Sequence, residues 1–218
     1  MTPSDNLRDQ LCYWHKYIHE HGLVTWTQGN ISVRHPDDSH IYIKASGVPY
    51  VGMIPRYMLR VEMDGDYSDK DFRPSTDTAS HLYIYNRMPS VRAIIHTHST
   101  FATTFAACGE DIPCHLTAMA DVFGEDIPCA GYAEIGGEEI GEAVVGCIGK
   151  AGVVLLRNHG LFAVGSTIED AVKRAVITED SAQTLYYAMS SDSFELRFLS
   201  PRQIDYNYER YRGYGQPR

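Results

Sequence analysis

Residues 91–107 read VRAIIHTHSTFATTFAA, a short apolar run that ends in two histidines and passes into a helical pattern. Ile94 and Ile95 predict a strand over 92–96, and Thr100 opens a predicted helix over 100–108. Alternate side chains of a strand share a face, so His96 and His98 leave it together, an arrangement that suits a single metal ion. A third candidate, His159, ends another apolar run in VVLLRNHGLFAVG and precedes Gly160. Three imidazoles with an open fourth position describe a catalytic zinc-type site. The same residues also read as satisfied surface or core histidines. The matching Asn-His-Gly context favours the metal reading.

Outward from this segment, residues 4–21 have Leu7, Leu11, Trp14, Tyr17 and Ile18 at helical spacing, and Gly22 is a natural stop. His15, His19 and His21 on this helix read as surface or C-terminal-turn residues rather than ligands. Short strands are predicted at 23–25, 30–33, 40–43 and 59–63, with turn signals at HPDDS and DGD, which together describe an antiparallel meander. Helices are predicted at 77–87, 138–148 and 167–189, and strands at 127–130, 153–156 and 161–164. The last helix has Ile168, Ala171, Val172, Ala175, Val176, Ala182, Leu185 and Met189 on one side. The tail after Pro201 is rich in Tyr and Arg. A single α/β domain with a mixed, mainly antiparallel sheet covered by helices accounts for this order.

The chain has 218 residues with a formal net charge of −9. An acidic surface of that size argues against non-specific nucleic-acid or anionic-membrane binding, while leaving room for an anionic small substrate in a local basic pocket. The five cysteines are odd in number and form no CxxC pair, and the first ten residues lack a basic-then-apolar signal pattern. A reducing, cytoplasmic setting is the expectation. No apolar run approaches the ~18–20 residues that a membrane span needs.

Three polar clusters offer hydroxyls and backbone N–H groups near turns: Gly29 with Asn30, Ser46 with Gly47, and Ser75 with Thr76 at the start of a predicted helix. Helix N-termini and amide nests are natural phosphate sites, and Lys44 adds a point charge. Each cluster alone also reads as a plain turn. Asp77, at that helix's first turn, is either a cap or, if the helix points at the ion, a ligand or general base.

The motifs GNIS, SG, PSTDT-x-x-H, HTHS and NHG, in this order, resemble the class II aldolase/adducin-head family over nearly the whole chain. The resemblance implies a three-layer α/β/α domain over residues 1–218, with the tail 201–218 closing over the active site. It implies zinc, or another divalent cation such as manganese, on His96, His98, His159 and Asp77. A homotetramer with active sites between subunits is also implied, as is a small phosphorylated sugar held by Gly29, Asn30, Lys44, Ser46, Gly47, Ser75 and Thr76.

Within the family the motifs are most similar to those of L-ribulose-5-phosphate 4-epimerases. Asp77 stands where the aldolases carry Glu, Asp121 lies six residues before Ile127-Pro128-Cys129, and Thr117 replaces an aldolase Tyr. The Tyr214-Gly215-Gln216 terminus matches as well. Against this, Met119 and Ala120 precede Asp121 in place of a usual His, and the tail lacks a Lys/His pair. The resemblance implies retro-aldol/aldol chemistry at a metal enediolate that converts L-ribulose 5-phosphate to D-xylulose 5-phosphate. Asp121 and Tyr214 are then the proton-transfer groups on opposite faces, with Asp77 at the metal. The alternative is an aldolase that cleaves a ketose 1-phosphate such as L-fuculose 1-phosphate. No GxGxxG follows a strand, so no nicotinamide cofactor is expected.

Overall fold

Five-residue strands rich in β-branched residues make the centre of the fold, and period-two alternation divides their side chains between two cores. The computed structural model describes residues 3–191, 193 and 195–214. Its strands are β1 (Asn30–Arg34), β2 (His40–Lys44), β3 (Met58–Glu62), β4 (Ala93–Thr97), β5 (Cys129–Ala130), β6 (Val153–Leu156) and β7 (Gly160–Gly165). They form one sheet in the order β3-β2-β1-β4-β7-β6-β5. Only β5 and β6 pair in parallel. The expected mixed, mainly antiparallel sheet is present, and β1–β2–β3 is the expected meander.

Ile31, Ile95, Leu155, Leu161 and Ala163 face one core. Ile43, Ile94, Val154, Phe162 and Val164 face the other. Both faces are covered, which is why the central strands are buried end to end. On the first face lie α1 (Pro3–Glu20), α3 (Thr100–Cys108), α4 (Thr117–Val122) and α6 (Ile168–Met189). On the second lie α2 (Thr78–Arg87) and α5 (Glu139–Cys147). This is the single-domain, three-layer arrangement expected. No described helix is long and apolar enough to cross a membrane.

Four features differ from the sequence expectation. Residues 23–25 are not a strand. The Leu23 N–H bonds the Ile18 carbonyl across the α1 C-terminus, a six-to-one closure after Gly22, so it is spent on the helix cap. The short helix α4 has no side-chain cap to announce it. The tail contains α7 (Pro201–Tyr211), which packs on α4 and carries an N-terminal capping box between Ser200 and Gln203. His15 is fully buried rather than a surface residue. Its Nδ1–H donates to the Leu11 carbonyl at 2.7 Å and its Nε2 accepts the Ile31 N–H at 2.9 Å, which fixes the neutral tautomer and pins α1 to β1.

Burial pushes His15 down to about 3, and does the same to His81, whose Nδ1 meets the Ser32 hydroxyl. In the unfolded chain both take a proton near 6.5, so the unfolded state binds more protons below that pH. Folding stability is therefore expected to be full above pH 6.5 and to fall as the pH drops toward 3. His15→Phe leaves the Ile31 N–H buried without an acceptor, at a cost of roughly 1–3 kcal/mol. Thermal melts at pH 7.5 should show a lower Tm for this variant. Melts between pH 7 and 4 should show a shallower acid slope than in the unsubstituted chain.

Candidate metal centre

The sheet register gathers the histidines. β4 sits between β1 and β7, with His96 opposite Asn30 on one side and Phe162 on the other. His98 follows one residue beyond the strand end, and Thr97 pairs with Leu161, so the turn that carries His159 lies beside both. That turn must come very close. A Cβ on Gly160 would collide with the Thr97 carbonyl oxygen and crowd the His98 ring, so only glycine fits there. Asn158 supports the turn with a left-handed φ of 60° and with its N–H on the Ala106 carbonyl.

One ligand atom from each of His96, His98 and His159 lies within 4.8 Å of the other two. His96 is almost fully buried and stacks on Phe162 at 4.4 Å. Its Nδ1 is 2.9 Å from the Leu161 carbonyl, which can only accept, so Nδ1 carries the proton and Nε2 presents a lone pair. That Nε2 lies 2.8 Å from Nε2 of His98. Burial, reinforced by the charge of neighbouring histidines, lowers His98 to about 3 and His159 to about 4. Both are neutral at physiological pH, the state in which imidazole binds metal. Among the described residues, His159 Nδ1 is buried with no hydrogen-bond partner. Converging neutral imidazoles with an orphaned ring nitrogen fit a borderline-soft divalent ion.

Asp77 occupies the N-cap position of α2, yet its side chain makes no capping bond. Its carboxylate instead accepts from Asn30 Nδ2 at 2.6 Å, and Asn30 also donates to Ser75 Oγ at 3.1 Å. Burial alone would raise Asp77. Charge interactions with His96 and His81 and the Asn30 hydrogen bond outweigh it and hold the carboxyl below its usual range. An ionised carboxylate thus faces the three imidazoles without closing the cluster itself.

These groups line a cleft of about 310 Å³. Gly29 and Asn30 reach it from the segment that enters β1, and Lys44 from the end of β2. Ser46 and Gly47 come from the next turn, and Ser75 and Thr76 from the approach to α2. Every residue expected to hold substrate therefore lines one cleft with the histidines. The cleft also uses Thr27, Gln28 and Ile135, which the sequence reading did not single out. Ile135 is exposed beside Gly136 and Gly137, and the sequence signal available was an apolar residue next to a Gly-Gly pair. Lys44 is almost fully buried, and burial, opposed by Asp77, lowers it to about 8.

Asp121 and Tyr214 do not line this cleft. Asp121 lies on α4, where Arg210 of α7 donates to both carboxylate oxygens at 2.8 and 3.0 Å. Tyr214 is exposed and stacks on Tyr211 at 5.2 Å. Gly215 and Gln216, the rest of the terminal motif, lie outside the described residues. Two other features stand apart. A larger groove of about 600 Å³ runs between Phe105, Tyr186 and Met189 and contains none of the cluster residues. At the β1–β2 turn, His35, Asp37 and His40 also approach within 4.8 Å, but Asp37 is taken up by His35 Nδ1 and by Ser39, and the two rings stack face to face.

The family model for the class II aldolase and adducin N-terminal domain matches residues 9–186. An L-fuculose 1-phosphate aldolase superposes with a TM-score of 0.83 at 26% identity, covering 95% of this chain and 96% of its own. The L-fuculose-1-phosphate aldolase of Thermus thermophilus gives 0.72 at 25% identity, over 85% of this chain and 97% of that one. YgbL of Escherichia coli, whose name leaves open an aldolase, epimerase or decarboxylase activity, shares the fold with a TM-score of 0.83 at 21% identity, over 95% of this chain and 100% of its own. With the fold, the motif order and the histidine cluster in agreement, the chain belongs to the class II aldolase and adducin N-terminal domain family.

Proposed function

We propose that the chain is a metal-dependent 4-epimerase that interconverts L-ribulose 5-phosphate and D-xylulose 5-phosphate by breaking and re-forming a carbon–carbon bond. The observation that carries this reading is the junction, in one polar cleft, of three converging imidazoles and an ionised Asp77 with a wall of hydroxyls, backbone amides and the Lys44 ammonium. His96, His98 and His159, with Asp77, would hold zinc or another divalent ion such as manganese. When bound, such an ion polarises the substrate's keto oxygen and stabilises negative charge that develops beside it.

The chain's own groups do the remaining work. Gly29, Asn30, Lys44, Ser46, Gly47, Ser75 and Thr76 hold the phosphate and hydroxyls. As the C3–C4 bond breaks, the C4 hydroxyl gives its proton to one group and the electron pair stays on the three-carbon fragment. Glycolaldehyde phosphate is the other fragment. It turns over, the bond re-forms on its opposite face, and a second group returns a proton to the C4 oxygen. Asp121 and Tyr214 take these roles, brought to the cleft by a neighbouring copy in a homotetramer. Asn30 orients Asp77 toward the ion through the 2.6 Å bond.

A second reading is favoured by the full-length similarity to an L-fuculose 1-phosphate aldolase. In that case the aldehyde leaves, and the chain is a lyase acting on a ketose 1-phosphate. Incubating metal-replete protein with L-ribulose 5-phosphate and, separately, with L-fuculose 1-phosphate separates the two. D-Xylulose 5-phosphate without free aldehyde is the expected product. Dihydroxyacetone phosphate from the second sugar, with no turnover of the first, makes the chain an aldolase.

Three variants sharpen this. His98→Ala is expected to lose bound metal by elemental analysis and more than about a hundredfold in activity, with its circular dichroism retained. Metal-free activity at the original level would remove the ion from the mechanism. Asp121→Asn is expected to keep its metal and lose epimerisation, and unchanged turnover would exclude Asp121 from proton transfer. Lys44 carries its charge below about pH 8 and loses it above. The value of kcat/KM for the phosphorylated sugar should therefore fall as pH rises through 8, and Lys44→Met should flatten that limb while raising KM.

A further inference from the structure

Beneath the cleft wall lies a tyrosine that does not itself line the cleft. Tyr50 is 2% exposed, with the Lys44 ammonium 5.3 Å above its ring and the His19 imidazole stacked at 5.2 Å. Its hydroxyl is 2.9 Å from the carbonyl oxygens of both Gln28 and Gly29, two successive peptides that share its single proton. Burial raises this hydroxyl well above the usual tyrosine range, so it remains a donor.

A trans peptide points its N–H opposite to its C=O. Drawing both carbonyls down to Tyr50 therefore turns the Gly29 N–H away from the ring, while the Asn30 N–H faces β4 in the ladder opposite His96. Successive carbonyls on one side require a helical turn of the backbone between them, and Gly29 supplies it with a φ of +74°. No other residue fits, because a Cβ there would stand 2.7 Å from the His96 carbonyl oxygen. Lys44 ties down the same segment through Thr27, whose carbonyl accepts from Nζ at 3.1 Å. Thr27, Gln28, Gly29 and Asn30 all line the cleft.

We propose that Tyr50 is a positioning residue for anion binding: its hydroxyl sets the Gln28 and Gly29 peptides, and its ring face seats the Lys44 ammonium, so that amide and ammonium together present to the substrate's phosphate. This rests on the reading above that the phosphate lies against this wall. Tyr50→Phe removes the oxygen and leaves the ring, His19 and Lys44 in place.

The test uses zinc-loaded protein. Three measurements are compared between the unsubstituted chain and Tyr50→Phe: the affinity for inorganic phosphate by calorimetry, the KM and kcat for the phosphorylated sugar, and amide hydrogen exchange across residues 24–30. The expected result is phosphate binding weakened roughly tenfold, the loss of about one hydrogen bond. KM should rise by a similar factor while kcat stays within about twofold, exchange across 24–30 should quicken, and the metal content should be unchanged. Equal phosphate affinity in the two proteins, or unaltered exchange across 24–30, overturns the proposal. If the unsubstituted protein binds no phosphate in the cleft, with Ser46→Ala as the control for location, the phosphate reading falls and takes this proposal with it. Binding that is present but insensitive to Tyr50→Phe removes this proposal alone.

Discussion

The antiparallel register of β4 between β1 and β7 is the constraint on which the rest depends. It sets His96 against Asn30 on one side and against Phe162 on the other, and it lays the His159 turn beside His98. Shifting that register by one residue would turn His96 to the opposite face and exchange Ile94 and Ile95 between the two cores. Hydrophobic burial on both faces of the sheet therefore holds the histidines in place. Ladder hydrogen bonds, two cores and three imidazoles all specify the same alignment.

Around this register several buried polar groups have partners that keep charge where chemistry can use it. His15 and His81 are neutral and hydrogen-bonded inside the cores. Asp77 keeps its charge in spite of burial because imidazoles and Asn30 face it. Lys44 lies over an aromatic ring, with backbone carbonyls at its ammonium. The result is a cleft whose lining combines soft imidazoles with hydroxyl and ammonium donors. A phosphorylated sugar with a polarisable carbonyl is the occupant proposed for it.

Much of this was legible in the sequence, for identifiable reasons. Residues 100–108 were readable as a helix to the residue, and the His96, His98 and His159 cluster was readable because each follows an apolar run that ends at the same edge of the sheet. The capping box that opens α7 stands in Ser200-Pro201-Arg202-Gln203, but the sequence reading assigned no helix there. Other features had no local signal. That Leu23 spends its N–H on Ile18, that His15 is core, and that Asp77 leaves its cap position for Asn30 are all decided by partners. The Asp121–Arg210 pair joins residues far apart in the chain, and no periodicity announces such a contact.

The strand order also bears on how the molecule comes together. The β1–β2–β3 meander and the β6–β7 hairpin are local units, built from strands that are neighbours in sequence. β4 has no local partner and must slot between them, pairing at long range on both edges. Non-local pairings of this kind are slow steps in folding. Before β4 arrives, the chain can form the His159 turn and the Asn30 strand, but the two halves of the cluster remain apart. Completion of the sheet and assembly of the three-histidine cluster are thus a single event.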